Sequence, residues 1–185
     1  AHPTIADSRI RFSSGSGIYL ESASPTINNN LITDNAQHGI YGDGRSSPTV
    51  RDNTINNNGS IAVNIRPNHV HRISGNSGAG NGADVIKVRG GEITTSRTWV
   101  KQEFPYVVTG DVTVRHSSIS TGGSVAVLTI QPGVVVRFNP GTGLYIGKDN
   151  PSSSKYEYFG ALSAQGTEAA PIVFTSNASA PAPGD

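Results

Sequence analysis

The sequence predicts an all-β fold, a parallel solenoid whose rungs are 22 or 23 residues long. Three observations predict it. Ser24-Pro25-Thr26-Ile27-Asn28-Asn29-Asn30 returns 23 residues later as Ser47-Pro48-Thr49-Val50-Arg51-Asp52-Asn53, and Pro3-Thr4-Ile5 stands 22 residues before it. A fixed period in this range marks a stack of repeated units. Two aliphatic columns keep the same step: Ile5, Ile27, Val50 and Ile73, then Ile18, Ile40, Val63 and Ile86. So do two asparagine columns: Asn30, Asn53 and Asn76, then Asn35, Asn58 and Asn81. A single unit is too poor in apolar side chains to close a core, so it must bury its aliphatics against the units on either side.

The units are made of strands. Gly17-Ile18-Tyr19-Leu20 alternates with the period of a pleated strand, as do Val63 and Ile65, then Ile86 and Val88. No segment here carries helical apolar spacing over three turns. Gly, Asn, Asp and Ser punctuate the strands and suit tight bends. Taken in order, residues 3–23, 24–46, 47–69 and 70–93 are four rungs, the last without the Ser-Pro-Thr lead. Trp99, the single tryptophan, reads as a large side chain sealing a seam. Residues 104–176 follow a different pattern. Leu128 to Phe138 gives two strands around a Pro132-Gly133 corner, and Gly166 to Ser176 returns to a strand. The offsets there disagree: 34 from Leu128 to Leu162, but 38 from Val136 to Phe174. The rung register beyond residue 95 is therefore not fixed from the sequence. One continuous domain is expected: regular rungs over 1–93, then a continuation over 94–185 with altered turns and an inserted loop near 147–159.

Residues 3–93 resemble the parallel β-helix repeats of the pectate-lyase-like superfamily. The matching pieces are Ser24 to Asn30, Asn35-x-x-x-Gly39-Ile40-Tyr41 and Asn53-Thr54-Ile55-x-Asn57-Asn58. Residues 104–176 are similar to the opening rungs of a second module in large secreted bacterial proteins. The resemblance implies a right-handed parallel β-helix with an internal asparagine ladder, and an extracellular or cell-surface location. It leaves activity open, because the superfamily holds lyases, hydrolases and epimerases as well as adhesins and passive stalks.

An amide ladder spans the rung spacing of about 4.8 Å well, so the asparagine columns read as structural. Asn58 lies in the formal glycosylation sequence Asn58-Gly59-Ser60 and is expected to stay unmodified for that reason; Asn177-Ala178-Ser179 is the other such sequence.

Composition sets further limits. The 185 residues include 14 basic and 13 acidic side chains and no cysteine. A net charge of +1 argues against non-specific nucleic-acid binding. The absence of cysteine excludes disulfides and thiolate metal sites. No run is long enough for a membrane span. Ala1-His2-Pro3 leads almost directly into the first repeat and the tail is Pro-rich, so the chain reads as a piece of a longer secreted protein, the alternative being a mature processed chain.

Catalysis on this fold would show as grouped carboxylates. Glu21 and Asp43 share a column, but it continues as Arg66 and Arg89 and reads as a ladder of opposite charges. Asp7, Asn29 and Asp52 share another, only partly acidic. His69 and His71 have a spacing metals can use, without a third ligand, and read as solvated turn residues; His38 and His116 have no visible partner. No cofactor or metal is expected. The outward column Tyr19, Tyr41, Asn64, Lys87 should face solvent, and its two tyrosines form a candidate aromatic ledge for sugar rings. The reading is a non-catalytic extracellular structural or adhesive module with polysaccharide as its contact. The alternatives are a polysaccharide-active enzyme, and a fibre subunit stacking end to end through open strand edges.

Overall fold

A computed structural model describes residues 3–116, 125–147 and 158–183. The named strand pairs are all parallel. The first rungs have three walls. One is Thr4–Ala6, Thr26–Asn28, Thr49–Arg51 and Ile73–Ser74; the second is Arg9–Arg11, Leu31–Thr33 and Thr54–Asn56. The third runs through seven strands: Ile18–Leu20, Ile40–Gly42, Ile61–Ile65, Ala83–Val88, Tyr106–Val108, Val135–Phe138 and Val173–Ser176.

Both predicted aliphatic columns are in register. Ile5 pairs with Ile27, Ile27 with Val50 and Val50 with Ile73. Ile18, Ile40, Val63 and Ile86 do the same in the third wall and continue as Tyr106, Val136 and Phe174. Ile27, Ile40, Val50, Val63, Ile73 and Ile86 are fully buried. A third column, Ile10, Ile32 and Ile55, fills the second wall.

The bends have a shared backbone geometry. Asp7, Asn29 and Asp52 have φ of 49°, 55° and 54°, and Gly75 follows at 66°. Phe12, Asp34, Asn57 and Gly80 form a second such column, at 62°, 55°, 50° and 75°. Each residue sits just before a ladder position, and Asn, Asp and Gly tolerate this left-handed region best. The partly acidic column of the sequence is therefore a row of turn residues.

The ladder follows each bend. Asn30 Nδ2 donates to Asn53 Oδ1 at 3.0 Å, and Asn53 Nδ2 to Asn76 Oδ1 at 2.9 Å. Asn35 donates to Asn58, and Asn58 to Asn81, at 2.8 Å each. Every ladder carbonyl also accepts a main-chain N–H from the preceding rung, the last in each column, Asn76 and Asn81, taking those of Asn53 and Asn58. Asp84 closes the second ladder by accepting from Asn81 Nδ2 at 2.8 Å.

The cross-section changes at a 3-10 helix, Pro67–Arg72, inserted between Ile61–Ile65 and Ile73–Ser74. Pro67 supplies the fixed φ of a first turn, and Val70 anchors the helix in the core. Two new walls stack from here: Gly91–Ile93, Val112–Val114 and Leu144–Ile146, and Arg97–Trp99, Ala126–Ile130 and Gly160–Ala164. Their first strands pack on the helix. Trp99 is buried inside the new section, 5.2 Å from the Tyr106 ring. The two conflicting offsets are both real. Leu128 pairs with Leu162 in one wall while Val136 pairs with Phe174 in another, because the corners between them differ in length. The inserted loop near 147–159 lies, apart from its ends, outside the described residues.

Candidate functional site: an aromatic and basic column on the seven-stranded wall

Residues at alternate positions of a strand point away from the core, and on the seven-stranded wall Tyr19, Tyr41, Asn64 and Lys87 stand side by side in register. Tyr19 is 62% exposed. Its ring lies 5.0 Å from that of Tyr41 with planes only 7° apart. The two rings therefore face each other along the solenoid axis instead of lying side by side as one flat ledge. Tyr41 is also the platform for two further groups. The His38 ring stacks at 5.5 Å, and the Arg89 guanidinium lies 5.3 Å from the ring centre. Arg89 Nη1 donates to the Tyr41 hydroxyl at 3.3 Å and Nη2 donates to the Gly42 carbonyl. Cation and ring attract through the quadrupole of the π-face. Tyr41 is thus a held, half-buried support, and Tyr19 offers the open surface.

Asn64 departs from the solvent-facing column that the alternation predicts, being only 3% exposed. Arg89 explains it. To reach Tyr41 and Gly42 its side chain crosses the rung that carries Asn64. The proposed charge ladder also dissolves here. Among the described residues the one ion pair is Arg115 with Glu92, at 2.6 Å. Asp43 instead accepts from the Ser46 hydroxyl, at 2.6 Å, and from the Ser46, Arg45 and Ser22 main-chain N–H groups. These bonds, the hydroxyl's first, hold its carboxyl down at about 2.

His38 has partners after all. Its Nδ1 accepts from the Ile61 N–H at 3.3 Å, and burial, then the Lys87 charge, lowers its pKa. His69 and His71 are not solvated turn residues. Both are half-buried on the 3-10 helix, and His69 Nδ1 lies 2.9 Å from Ser47 Oγ. Among the described residues no three His, Asp or Glu side chains gather as metal ligands would.

Further along the same wall the outward column runs Lys87, Val107, Arg137. It floors a groove of about 500 Å³ whose rim carries Asp84, Asn139 and Asn177. Nothing in the amphipathic pattern of the early rungs signals this groove, because Asn139 and Asn177 arrive from corners of irregular length.

Residues 1–152 match the family model described as the right handed beta helix region. The chain belongs to the right-handed β-helix family. No curated protein and no solved structure matches it. The β-helix assignment accounts for the walls, the stacked aliphatics and the amide ladders, and it leaves the role of the outer column open. No helix among the described residues is long and apolar enough to cross a membrane.

Proposed function

We propose that this β-helix is a non-catalytic, extracellular structural or adhesive module that contacts polysaccharide through the outer face of its seven-stranded wall. The Tyr19–Tyr41 stack carries the reading. Tyr41 is fixed by His38 and Arg89, so Tyr19 rests on a rigid base and presents an apolar face with a hydroxyl at its edge. Such a surface binds a sugar ring at low entropic cost. The acids support the non-catalytic part of the reading, because six of the ten among the described residues are committed elsewhere. Asp7, Asp34 and Asp52 shape bends, Asp43 and Asp84 accept local hydrogen bonds, and Glu92 pairs with Arg115. Retention on a panel of immobilised polysaccharides tests it. Tyr19→Ala should lose most retention on a bound member and Tyr41→Ala a smaller part; retention unchanged in both removes the proposal. Unsaturated or new reducing ends appearing in the same polysaccharides would replace it with polysaccharide cleavage.

A second reading, end-to-end self-association, has its own observation. Phe138, Leu144, Leu162 and Phe174 line an open apolar hollow of about 480 Å³ beside the edge strand Val173–Ser176. Phe174 is 44% exposed, and open edges recruit further strands. Light scattering across a concentration series should show growth that Phe174→Asp abolishes; a constant monomer mass excludes it.

A further inference from the structure

We propose that the corner built on the 3-10 helix Pro67–Arg72 binds a doubly charged oxyanion, a sulfate or phosphate group. This inference is independent of the saccharide reading and concerns a different face. Arg66 precedes the helix, Arg72 ends it, and Arg97 lies on the strand stacked against it. The Arg97 guanidinium is held by two carbonyls, Nε donating to Asn68 O and Nη1 to Ser96 O, at 3.3 Å each. His69 is oriented by Ser47. With the Ser47 hydroxyl donating to Nδ1, the ring proton sits on Nε2 and is directed away from Ser47, free to donate.

The positive charge at this corner is concentrated and unopposed. Burial lowers the pKa of both histidines, and the guanidiniums of Arg72 and Arg97 lower it further, with Arg66 adding to the effect at His69. Arg97 itself is lowered, by burial first and then by Arg72. The elements packed against the helix bring no free carboxylate. Glu92, on Gly91–Ile93, is gripped in a fork by Arg115 at 2.7 and 2.6 Å. Thr49–Arg51 adds another cation, while Ile73–Ser74 and Arg97–Trp99 carry no acid. In a chain with a net charge of only +1, repulsion of this kind is unfavourable in the empty state. A tetrahedral dianion relieves it, since guanidinium forks match its oxygens.

The experiment uses the whole chain near pH 6, titrated with sodium sulfate and sodium phosphate against sodium chloride at matched ionic strength. Thermal midpoint and titration calorimetry are the readouts. The expected result is a saturable rise with the oxyanions and none with chloride; sulfate, a dianion throughout, should strengthen as pH falls from about 7 to about 5 because the bound anion favours protonated histidine, whereas phosphate, which takes up a proton over the same range, should gain less. Arg72 is exposed and makes no hydrogen bond among the described residues, so Arg72→Gln should fold normally and bind about tenfold more weakly. Arg66→Gln is a second variant of the same kind, and Arg9→Gln, on the second wall and outside the corner, should bind as the parent does. A sulfated oligosaccharide that binds more tightly than free sulfate, while its desulfated form does not bind, identifies a saccharide ester as the source; equal binding identifies the free ion. A response that chloride reproduces at equal ionic strength, or full binding by both Arg72→Gln and Arg66→Gln, overturns the proposal.

Discussion

Replacing Asn53 by alanine removes the middle amide of the first ladder. Its Nδ2 donates to Ile27 O, Arg51 O and Asn76 Oδ1, and its Oδ1 accepts from both the main-chain N and the Nδ2 of Asn30. The side chain is 1% exposed, so water does not take over these roles. Asn30 Nδ2 keeps its bond to Ile5 O, and Asn76 Oδ1 keeps the Asn53 main-chain N–H. What is left stranded is the Asn30 N–H, and the carbonyls of Ile27, Arg51 and the Asn76 side chain each lose one bond. At about 1 kcal/mol for each of those bonds and about 1–3 kcal/mol for an orphaned buried donor, the loss comes to about 4–6 kcal/mol. In urea, with a slope of about 2 kcal/mol/M, the midpoint should fall by about 2–3 M. Thr54→Ala, at the exposed neighbouring position, should change stability by about 0.5 kcal/mol or less. Asn53→Asp keeps the acceptor but sets a buried carboxylate against three acceptors, and should recover partly at acid pH, where a neutral acid can donate. If Asn53→Ala unfolds within 1 kcal/mol of Thr54→Ala, by the scale of these estimates, the ladder is decoration and the reasoning fails.

Phe12 occupies a left-handed bend that Asp34, Asn57 and Gly80 fill in later rungs, and it is 70% exposed. Phe12→Asn should therefore stabilise by about 1 kcal/mol; a loss of stability in thermal unfolding would refute the strain argument. Gly39→Ala should cost about 2 kcal/mol or more, because the added methyl would meet Ile55 Cγ2 at 2.5 Å and Ala62 O at 2.7 Å. His71 has its pKa lowered to about 4, by burial and then by Arg97 and Arg72. The unfolded chain thus binds the extra proton more readily, so stability is full above about pH 6.5 and falls toward pH 4. After allowance for solvent screening this amounts to about 1 kcal/mol, and His71→Gln should flatten that part of the pH–stability curve. Mass spectrometry after passage through a glycosylating secretory host should find Asn58 bare, since its Nδ2 is bound to Asn81 Oδ1, Ile32 O and Asn56 O.

The early rungs were legible because one period governed every column. Ile5 to Ile73, Ile18 to Ile86 and both asparagine rows are neighbours in space at the step read along the chain. The column Ile10, Ile32, Ile55 kept the same step but was easy to pass over. Its strands are three residues long, and Arg9 and Arg11 flank the first apolar side chain. The Tyr19–Tyr41 pairing followed from register, but the orientation of the rings did not, because side-chain torsions are not written in a period. In the sequence Arg89 is one charge in a column; its reach across a whole rung to Tyr41 is a property of its length. The basic corner was also hidden. Arg66 and Arg72 bracket a helix that no helical pattern announced, and Arg97 comes from a strand some 30 residues on, brought there by the wider cross-section that the helix creates.

Successive strands of the long wall are separated along the chain by 22, 23, 23, 20, 30 and 38 residues, yet each lands beside the last in parallel register. The molecule behaves like a stairwell whose treads are evenly spaced although its landings differ in size. Added length falls between the paired strands along the chain and leaves their register intact. A foreign peptide grafted at such a landing would ride on a support that has already absorbed comparable additions twice.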